Sequence, residues 1–379
     1  MDLAVQGRSF AAERSPGRHV DLVLVAAAVG LAVCGLLMVY SATNQNLAAL
    51  NEDPRFYLKR QLAFAVLGIV LMAVAALLDY RLVKIYAPFF YLACVAMLIL
   101  VQTPLGQSAL GAQRWFQIGG FQLGPSLFAR LGVVLMLAAT LSQVKGELWL
   151  QDVTRATALA VVPMILVFIQ PDIGASIVLA SILVALLVVS GARVKYLAVL
   201  ALVAMVAIFG AFQLNVVKDY QIDRLTSFLD PGADPQRAGY NKAQAEIAIG
   251  AGGIFGRGYL QGTQTNLDYV PAQHTDFIFT VVGEEFGFLG AAVVLVLFAL
   301  ILWRAFRIGL LSKDPFGTFL AVGVGTMIAI QVFVNIGMTV GIMPITGIPL
   351  PFVSYGGSAL ISDFIGIGLL LSVHMRRFL

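Results

Sequence analysis

The sequence has little charge. Only 12% of its 379 residues are charged, whereas 60% are hydrophobic and the mean hydropathy is +0.91. Because a soluble domain carries about 25% charged residues, the composition excludes an ordinary soluble domain and indicates an integral membrane protein. The net charge of +4 comes from basic residues scattered over the connections between apolar runs. This scatter fits a membrane protein and predicts no nucleic-acid partner.

Cysteine and histidine are also scarce. Cys34 and Cys94 lie inside apolar runs, as small buried hydrophobic residues do, and they form neither a disulfide framework nor a zinc pattern. Histidine occurs only as His19, His274 and His374, which is too few for a histidine metal site or a Ser-His-Asp triad. Carboxylate, guanidinium and aromatic groups remain. Those groups suit the chemistry of sugars and phosphates.

Long apolar runs dominate what is present. Most are about 18 to 22 residues long, the length that crosses a hydrocarbon core of ~30 Å. The eighth run is too long for one straight span, and its first turns are expected in the aqueous interface. The pattern predicts an all-α fold, a single membrane domain over residues 1–379, with about ten transmembrane helices at 20–41, 61–79, 84–103, 125–142, 156–170, 173–190, 196–214, 276–303, 318–341 and 351–373.

The basic residues predict the orientation. Arg8, Arg14 and Arg18 lie in the N-terminal tail, and alternate connections carry many of the other basic residues. Because basic loops stay on the cytoplasmic side, both termini are predicted to be cytoplasmic. Residues 215–275 then form a large extracytoplasmic loop, with a helix expected over 241–249.

Residues 270–290 read VPAQHTDFIFTVVGEEFGFLG. Ionisable groups at a membrane boundary are costly and tend to be functional, so the Asp276 carboxylate is a candidate general base. A helix N-cap is the alternative interpretation, and the sequence leaves both open. The other polar residues are placed around it: Thr275 is predicted to contact substrate, and His274, Glu284 and Glu285 to support the site.

Residues 111–131 read GAQRWFQIGGFQLGPSLFARL. Arg114 could pair with a phosphate and Trp115 could stack on a sugar face, while a tryptophan is equally typical of a membrane-interface anchor. Arg130 lies about a turn inside the fourth span. A guanidinium is costly there unless it faces a cavity or a partner, which predicts a functional role, with substrate binding as the expectation.

Two further motifs are ambiguous. Asp172, in QPDIGAS, is on its own typical of a turn or cap residue. The run GAGGIFGRG, residues 250–258, lacks the strand and the lysine of a phosphate-binding loop. We interpret it as backbone flexibility.

The segment PITGIPLPFVSYGGSAL, residues 344–360, predicts a broken entrance to the last span. Exposed backbone groups of this kind survive at membrane depth only in protein or beside a water-lined cavity. Ser354 and Tyr355 are therefore predicted to contact substrate. Asp363 lies deeper in the span and is expected to be paired, with Arg130 as one candidate.

Several long motifs are shared with one family. They include GLLMVYSA, GAQRW, PDIGAS, DYQIDRLTSFLDPGADPQRAGYN, GTQTNLDYVPAQHTDFIFTVVGEEFGFLG and NIGMTVGIMPITGIPLPFVSYGGS. Together they resemble the SEDS family (shape, elongation, division and sporulation), and the likeness runs from Asp21 to Arg377. The form GAQRW favours the cell-elongation branch over the division branch.

The resemblance implies an activity and its partners. It implies a ten-helix glycosyltransferase that polymerises lipid II into peptidoglycan strands during cell elongation and shape maintenance. The implied partners are a class B penicillin-binding protein and other membrane proteins of the elongation complex. The family's essential aspartate falls on Asp276, its important tryptophan on Trp115, and the aspartate of its QPD turn on Asp172, which is therefore expected to bind substrate. No certain cofactor follows, and a divalent cation, Mg²⁺ or Mn²⁺, stays open.

One segment departs from the family pattern. The family commonly reads QPSE followed three residues later by Lys, whereas this chain has Leu127 in place of the glutamate and then Arg130. If that glutamate normally pairs with the lysine, Arg130 needs another acid, and Asp276, Asp172 and Asp363 are the candidates. Arg and Lys also differ in geometry.

The leading hypothesis is inverting glycosyl transfer at the extracytoplasmic face of the bacterial plasma membrane, from an undecaprenyl-diphosphate-linked donor. Asp276 would be the base, and Arg130, with Arg114 or a divalent cation, would stabilise the departing diphosphate. Two rivals remain: a flippase or transporter of the lipid-linked precursor, and a scaffold for the penicillin-binding protein. The lack of repeat symmetry and the polar motifs on one side count against a transporter.

Overall fold

The computed structural model describes residues 19–109, 112–119, 121–213, 221, 228, 238–267 and 269–377. The tail arginines Arg8, Arg14 and Arg18 lie outside the described residues, as does most of the stretch from 214 to 237 in the predicted large loop.

The described residues fold into a helical bundle with one small sheet. Eight helices are long and apolar enough to cross a membrane, and two shorter apolar helices stand among them. The all-α membrane fold is confirmed, while the count of ten spans and the side of the termini stay predictions.

In chain order the elements are α1 (Leu22–Ala49), α2 (Phe56–Leu77), α3 (Tyr80–Leu100), β1 (Gln107–Ala109), β2 (Ala112–Ile118), β3 (Phe121–Leu123), α4 (Pro125–Leu141), α5 (Leu150–Ile169), α6 (Ile173–Val189), α7 (Val194–Gln213), α8 (Ala238–Gly252), α9 (Thr263–Asn266), α10 (Ile278–Leu310), α11 (Pro315–Thr339) and α12 (Gly357–Arg376).

Aspartates mark where four of the helices begin. The side chains of Asp21, Asp79, Asp172 and Asp314 each accept a hydrogen bond from a first-turn backbone amide of α1, α3, α6 and α11. A short acceptor at this position satisfies an amide that has no partner within the helix. Asp172 is thus a helix cap, and its Oδ1 lies 2.9 Å from the Ala175 amide nitrogen.

The bundle has a centre and a periphery. The apolar window of α12 is 94% buried and that of α11 is 72% buried, whereas no part of the α7 window is buried. One end of the bundle carries the sheet, and we call it the hairpin end. The opposite end, which we call the termini end, is closed by an ion pair in which Arg304 Nε donates to Asp21 Oδ2 at 2.6 Å. At the same end Arg376 donates to the Leu77 carbonyl at 2.6 Å.

The sheet at the hairpin end was not predicted. Its order is β1-β2-β3 with antiparallel pairing throughout, and Phe116 faces Leu123 across β2 and β3. Two of its strands have only three residues. Strands this short are below the length at which alternation gives a signal.

The last span begins later than predicted. α12 starts at Gly357 and not at residue 351. Pro344, Pro349 and Pro351 come shortly before it, and proline has no amide hydrogen to donate. The start at 351 was wrong for this reason, whereas the broken entrance itself is observed.

α10, predicted to be too long for one straight span, is broken. Gly287 has φ 63° and ψ −159°, which interrupts the helix and leaves nearby backbone groups without intrahelical partners. Residues 253–258 supply those partners. Two of their amides donate to the carbonyls of Glu284 and Glu285 at 3.0 Å each, and an amide beyond the kink donates to the Gly253 carbonyl at 2.9 Å.

The glycine-rich run Gly250–Gly258 is therefore packed against α10, and its interpretation as a flexible segment was wrong. A Cβ on Gly252 would lie 1.9 Å from the Gly283 carbonyl oxygen, so only glycine allows the two backbones to come this close. The side chains beneath are covered, since Glu284 is 0% and Glu285 1% exposed. The expectation that these two stand in the aqueous interface was wrong as well.

Candidate active site

Asp276 lies at the hairpin end, just before α10, and its backbone is held on both sides. Asn335 Nδ2, from α11, donates to the Asp276 carbonyl at 2.8 Å and to the Ile348 carbonyl at 2.7 Å. The Asp276 amide donates to the Ala272 carbonyl at 3.0 Å. The Asp276 side chain is half-buried. Phe277 holds the N-cap position of α10, so Asp276 stands one residue before the cap of the alternative interpretation.

Residues 344–356 hold the chain that leads into α10. Ser354 Oγ donates to the Thr275 carbonyl at 2.5 Å, and the Tyr355 amide donates to the His274 carbonyl at 2.9 Å. The Thr275 hydroxyl donates to the carbonyl three residues earlier. Ser354 is buried and its hydroxyl proton serves the backbone. The structure thus gives Ser354 a positioning contact where a substrate contact was predicted.

Four side chains near this loop form what we call the aromatic cluster: Tyr57, Arg60, His274 and Tyr355. The Tyr57 ring centroid is 4.9 Å from that of Tyr355 and 5.0 Å from that of His274, and Arg60 interacts with the Tyr355 hydroxyl. Burial lowers the pKa of His274, so its imidazole is neutral near pH 7. Burial also raises the pKa of Tyr355, which keeps its hydroxyl proton.

The β-hairpin is docked by the two residues of the RW motif. Arg114 Nε donates to the Gln170 carbonyl at 2.7 Å, and the same guanidinium donates to the Pro171 carbonyl. The Trp115 ring packs on Gly124 at the start of α4, where a Cβ would lie 2.7 Å from the ring. Arg114 therefore joins the sheet to the turn before α6, using donors that were predicted for a phosphate.

Arg130 is buried in the bundle and is 3% exposed. Its Nη1 donates to Gln331 Oε1 at 2.6 Å, and it interacts electrostatically with Asp172 and Asp363. Two of the three predicted acids are thus its neighbours. A guanidinium at this depth cannot touch substrate without rearrangement, in contrast to the predicted substrate contact.

Glu284 and Glu285 contact the loop and α1. Glu284 accepts from two amides of α9 at 2.7 and 2.9 Å and from the Thr265 hydroxyl at 2.8 Å. Gln273 then bridges Thr265 to the first turn of α10 at 3.2 Å on each side. Glu285 accepts a hydrogen bond from Ser41 of α1. These contacts fit the supporting role expected of both glutamates.

No group of three or more His, Cys, Asp or Glu side chains comes together within the described ranges of the chain. A protein-only metal centre normally takes at least three such ligands. The described residues therefore form no all-protein cage, whereas Mg²⁺ is usually held by one or two carboxylates together with the phosphates of a substrate.

Sequence reasoning missed polar residues on two helices. Tyr57 and Arg60 were treated as loop residues because the second span was predicted to begin at 61. Gln331 and Asn335 lie inside a span that was considered only as an apolar run. The signal that singled out Arg130, a polar side chain within an apolar stretch, would have found both of the α11 residues.

Comparison with known proteins gives full-length matches. The family model described as a cell cycle protein, for FtsW, RodA and SpoVE, matches residues 21–378. The probable peptidoglycan glycosyltransferase FtsW of Geobacter metallireducens is 36% identical over 359 residues, which cover 94% of this chain and 95% of that protein. The peptidoglycan glycosyltransferase MrdB of Escherichia coli K12 is also 36% identical over 359 residues, covering 95% and 94%. Equal identities do not separate the branches of the family.

Two solved structures share the fold over nearly the whole chain. One is a chain from a study of the structural coordination of polymerization and crosslinking by a peptidoglycan synthase complex, with a TM-score of 0.79, 30% identity and coverage of 95% of this chain and 98% of that one. The other is the rod shape determining protein RodA of Thermus thermophilus, with a TM-score of 0.70, 28% identity and coverage of 95% and 98%.

Proposed function

The chain belongs to the SEDS family, and from that premise we propose that it is a peptidoglycan glycosyltransferase that polymerises lipid II into glycan strands. The reaction class is supported by relatives from two genera that carry that name. A role in cell elongation and shape maintenance is supported by the GAQRW motif and by the RodA fold neighbour.

The observation that carries the proposal is that hydrogen bonds hold the backbone around Asp276 in a fixed position. Its backbone carbonyl is fixed by a buried side chain of α11, and the residues before it are fixed by the segment 344–356. Its carboxylate is nevertheless half-buried rather than enclosed. A base held in this way meets the requirement for general catalysis, which is a fixed position within reach of a substrate hydroxyl.

The reaction then proceeds by a single displacement. Asp276 accepts the proton of the acceptor sugar hydroxyl while the hydroxyl oxygen attacks the anomeric carbon of the donor. The bond between that carbon and the diphosphate oxygen breaks on the opposite face, so the configuration inverts and undecaprenyl diphosphate leaves. A positioned base contributes about 10²–10⁴-fold to such a step.

Cationic groups oppose the charge that grows on the diphosphate. Arg60 is half-buried in the aromatic cluster. Its guanidinium lies near the residues that lead into α10 and carry the proposed base. The N-terminal ends of α10 and α12 add partial positive charge at the hairpin end. Arg130 contributes its charge from beneath, since it is 3% exposed. Arg114 holds the hairpin in place.

Aromatic rings provide surfaces for the sugars. His274 is neutral near pH 7 and makes tilted ring contacts with Tyr57 and Tyr355, and Trp115 offers a half-buried indole on the neighbouring sheet. Rings of this kind pack on the apolar faces of sugars. We therefore assign substrate contact to these side chains and to Thr275.

The chain is a multi-pass membrane protein. We place it in the bacterial plasma membrane with the hairpin end on the extracytoplasmic side. We also propose a class B penicillin-binding protein as its partner, together with other membrane proteins of the elongation complex. The synthase complex that shares the fold supports the first of these partners, because its study describes polymerization together with crosslinking.

The test is an assay of the purified chain with lipid II in detergent, without a partner and without a membrane gradient, in the presence of Mg²⁺ or Mn²⁺ or of a chelator. Glycan strands support the enzyme. If strands form in no arm, with or without the penicillin-binding protein, the proposal fails. Movement of lipid II across vesicles would then favour the flippase, and binding of the partner alone would favour the scaffold.

A further inference from the structure

The buried guanidinium of Arg130 lacks an acidic hydrogen-bond partner. Its Nη1 binds the neutral amide of Gln331, and its Nε has no hydrogen-bond partner among the described residues. A guanidinium cannot be neutralised by losing its proton. A buried charge is tolerated when an opposite charge lies nearby, so the surroundings of Arg130 must supply a carboxylate.

Helix α4 does not supply one. Leu127 lies three residues before Arg130 and so shares its face of the helix, and it is only 7% exposed. Position 127 is therefore apolar, and the acid must come from another helix.

Helix α12 brings an acid to the same place. Ser362 Oγ donates to the Leu127 carbonyl at 3.0 Å, which sets the next residue, Asp363, beside α4. Asp363 is 3% exposed and interacts electrostatically with Arg130. Its Oδ2 has no hydrogen-bond partner in the part of the chain that is described.

Asp172 is the other candidate, and its electrostatic interaction with Arg130 is the larger of the two. Its Oδ1, however, is committed to the Ala175 amide as the cap of α6. Its side chain is half-buried rather than enclosed, so water screens its charge more than it screens Asp363.

We propose that Asp363, from α12, is the buried counter-charge of Arg130. Asp363 also interacts with the Phe352 amide, within the segment 344–356 that holds the chain before Asp276. It is therefore a positioning residue, which joins Arg130 of α4 to the mounting of the base.

The pairing of Asp363 with Arg130 predicts that a new carboxylate at position 127 restores the activity that Asp363→Asn loses. Asp363→Asn is expected to lower kcat for lipid II polymerisation by about 100-fold, the effect of a base misplaced by ~1 Å, with little change in KM. Adding Leu127→Glu to Asp363→Asn returns a carboxylate to the face of Arg130, and it is expected to recover most of the lost rate. Asp53→Asn is the matched control, since Asp53 is exposed and pairs with Lys59, and it should retain the wild-type rate.

A double-mutant cycle of thermal unfolding in detergent tests the coupling of Arg130 and Asp363 without an activity assay. Arg130→Met and Asp363→Asn each leave one buried group uncompensated, so the double variant is expected to melt above either single variant. Any of three results would overturn the inference. Asp363→Asn could be fully active, Leu127→Glu could fail to rescue a folded Asp363→Asn protein, or the losses in the cycle could be additive. The activity arm rests on the proposed function. If the wild type makes no strands, that function fails, and the cycle still decides whether the two residues are coupled.

Discussion

Asn335 offers the sharpest test of how the base is mounted. It is 0% exposed, and its Nδ2 donates to the carbonyls of Asp276 and Ile348 at 2.8 and 2.7 Å. Leucine has a similar shape and no donor, so Asn335→Leu leaves the buried Ile348 carbonyl and the part-buried Asp276 carbonyl without this partner. Each such group costs about 1–3 kcal/mol, and we expect the free energy of unfolding to fall by about 2–6 kcal/mol in total.

The same substitution should impair catalysis beyond its effect on stability. Releasing the Asp276 carbonyl lets the start of α10 move, and a misplaced catalytic group lowers the rate by roughly 10–100-fold. The assay is lipid II polymerisation at a temperature at which the variant is folded, with thermal unfolding measured in the same detergent. We expect kcat to fall and KM to change little.

Thr339→Val is the matched control on the same helix. Thr339 is also buried, but its hydroxyl donates at 2.7 Å to the Ile336 carbonyl, which already accepts from the Val340 amide at 3.0 Å. Its loss leaves no unsatisfied carbonyl, so we expect less than about 1 kcal/mol and a normal rate. If Asn335→Leu behaves like Thr339→Val in both measurements, the two hydrogen bonds do not mount the base.

Two further predictions concern the kinked helix and pH. Gly252→Ala places a methyl group 1.9 Å from the Gly283 carbonyl oxygen, whereas Gly250→Ala meets nothing within 4 Å. The first substitution should therefore lower the melting temperature by several degrees, and the second should not. Equal melting temperatures of the two variants would refute the close packing of residues 250–258 against α10. Burial lowers the pKa of His274 below the ~6.5 of an exposed histidine. The unfolded chain therefore binds more protons just below that pH, and stability falls as the pH decreases through this window. The melting temperature should thus drop more between pH 7.5 and 5.5 in the wild type than in His274→Gln, and parallel curves would contradict this.

Sequence patterns predicted the features that depend on local composition. Apolar runs located the helices because each must match the thickness of a membrane. The eighth run was predicted to be too long for one straight span, and the structure interrupts this helix at Gly287. Asp172 followed from the preference for a short acceptor at a helix start.

Features that depend on distant parts of the chain were missed or misread. The glycines of residues 250–258 look like a flexible stretch until α10 is placed against them. The partner of Arg130, Gln331, lies 201 residues away along the chain. Without an arrangement of helices, nothing in either local segment indicates which polar groups will meet.

The role of Asp276 as the catalytic base is tested most directly by the rate of lipid II polymerisation by purified Asp276→Asn. Glu147→Gln is the control, because Glu147 is exposed and ion-paired to Arg193 at the surface. We expect a rate about 10²–10⁴-fold below that of the wild type, with a nearly unchanged melting temperature, since asparagine keeps the shape of aspartate and the Asp276 carbonyl keeps its hydrogen bond from Asn335. Wild-type amounts of glycan strands from Asp276→Asn would contradict this role.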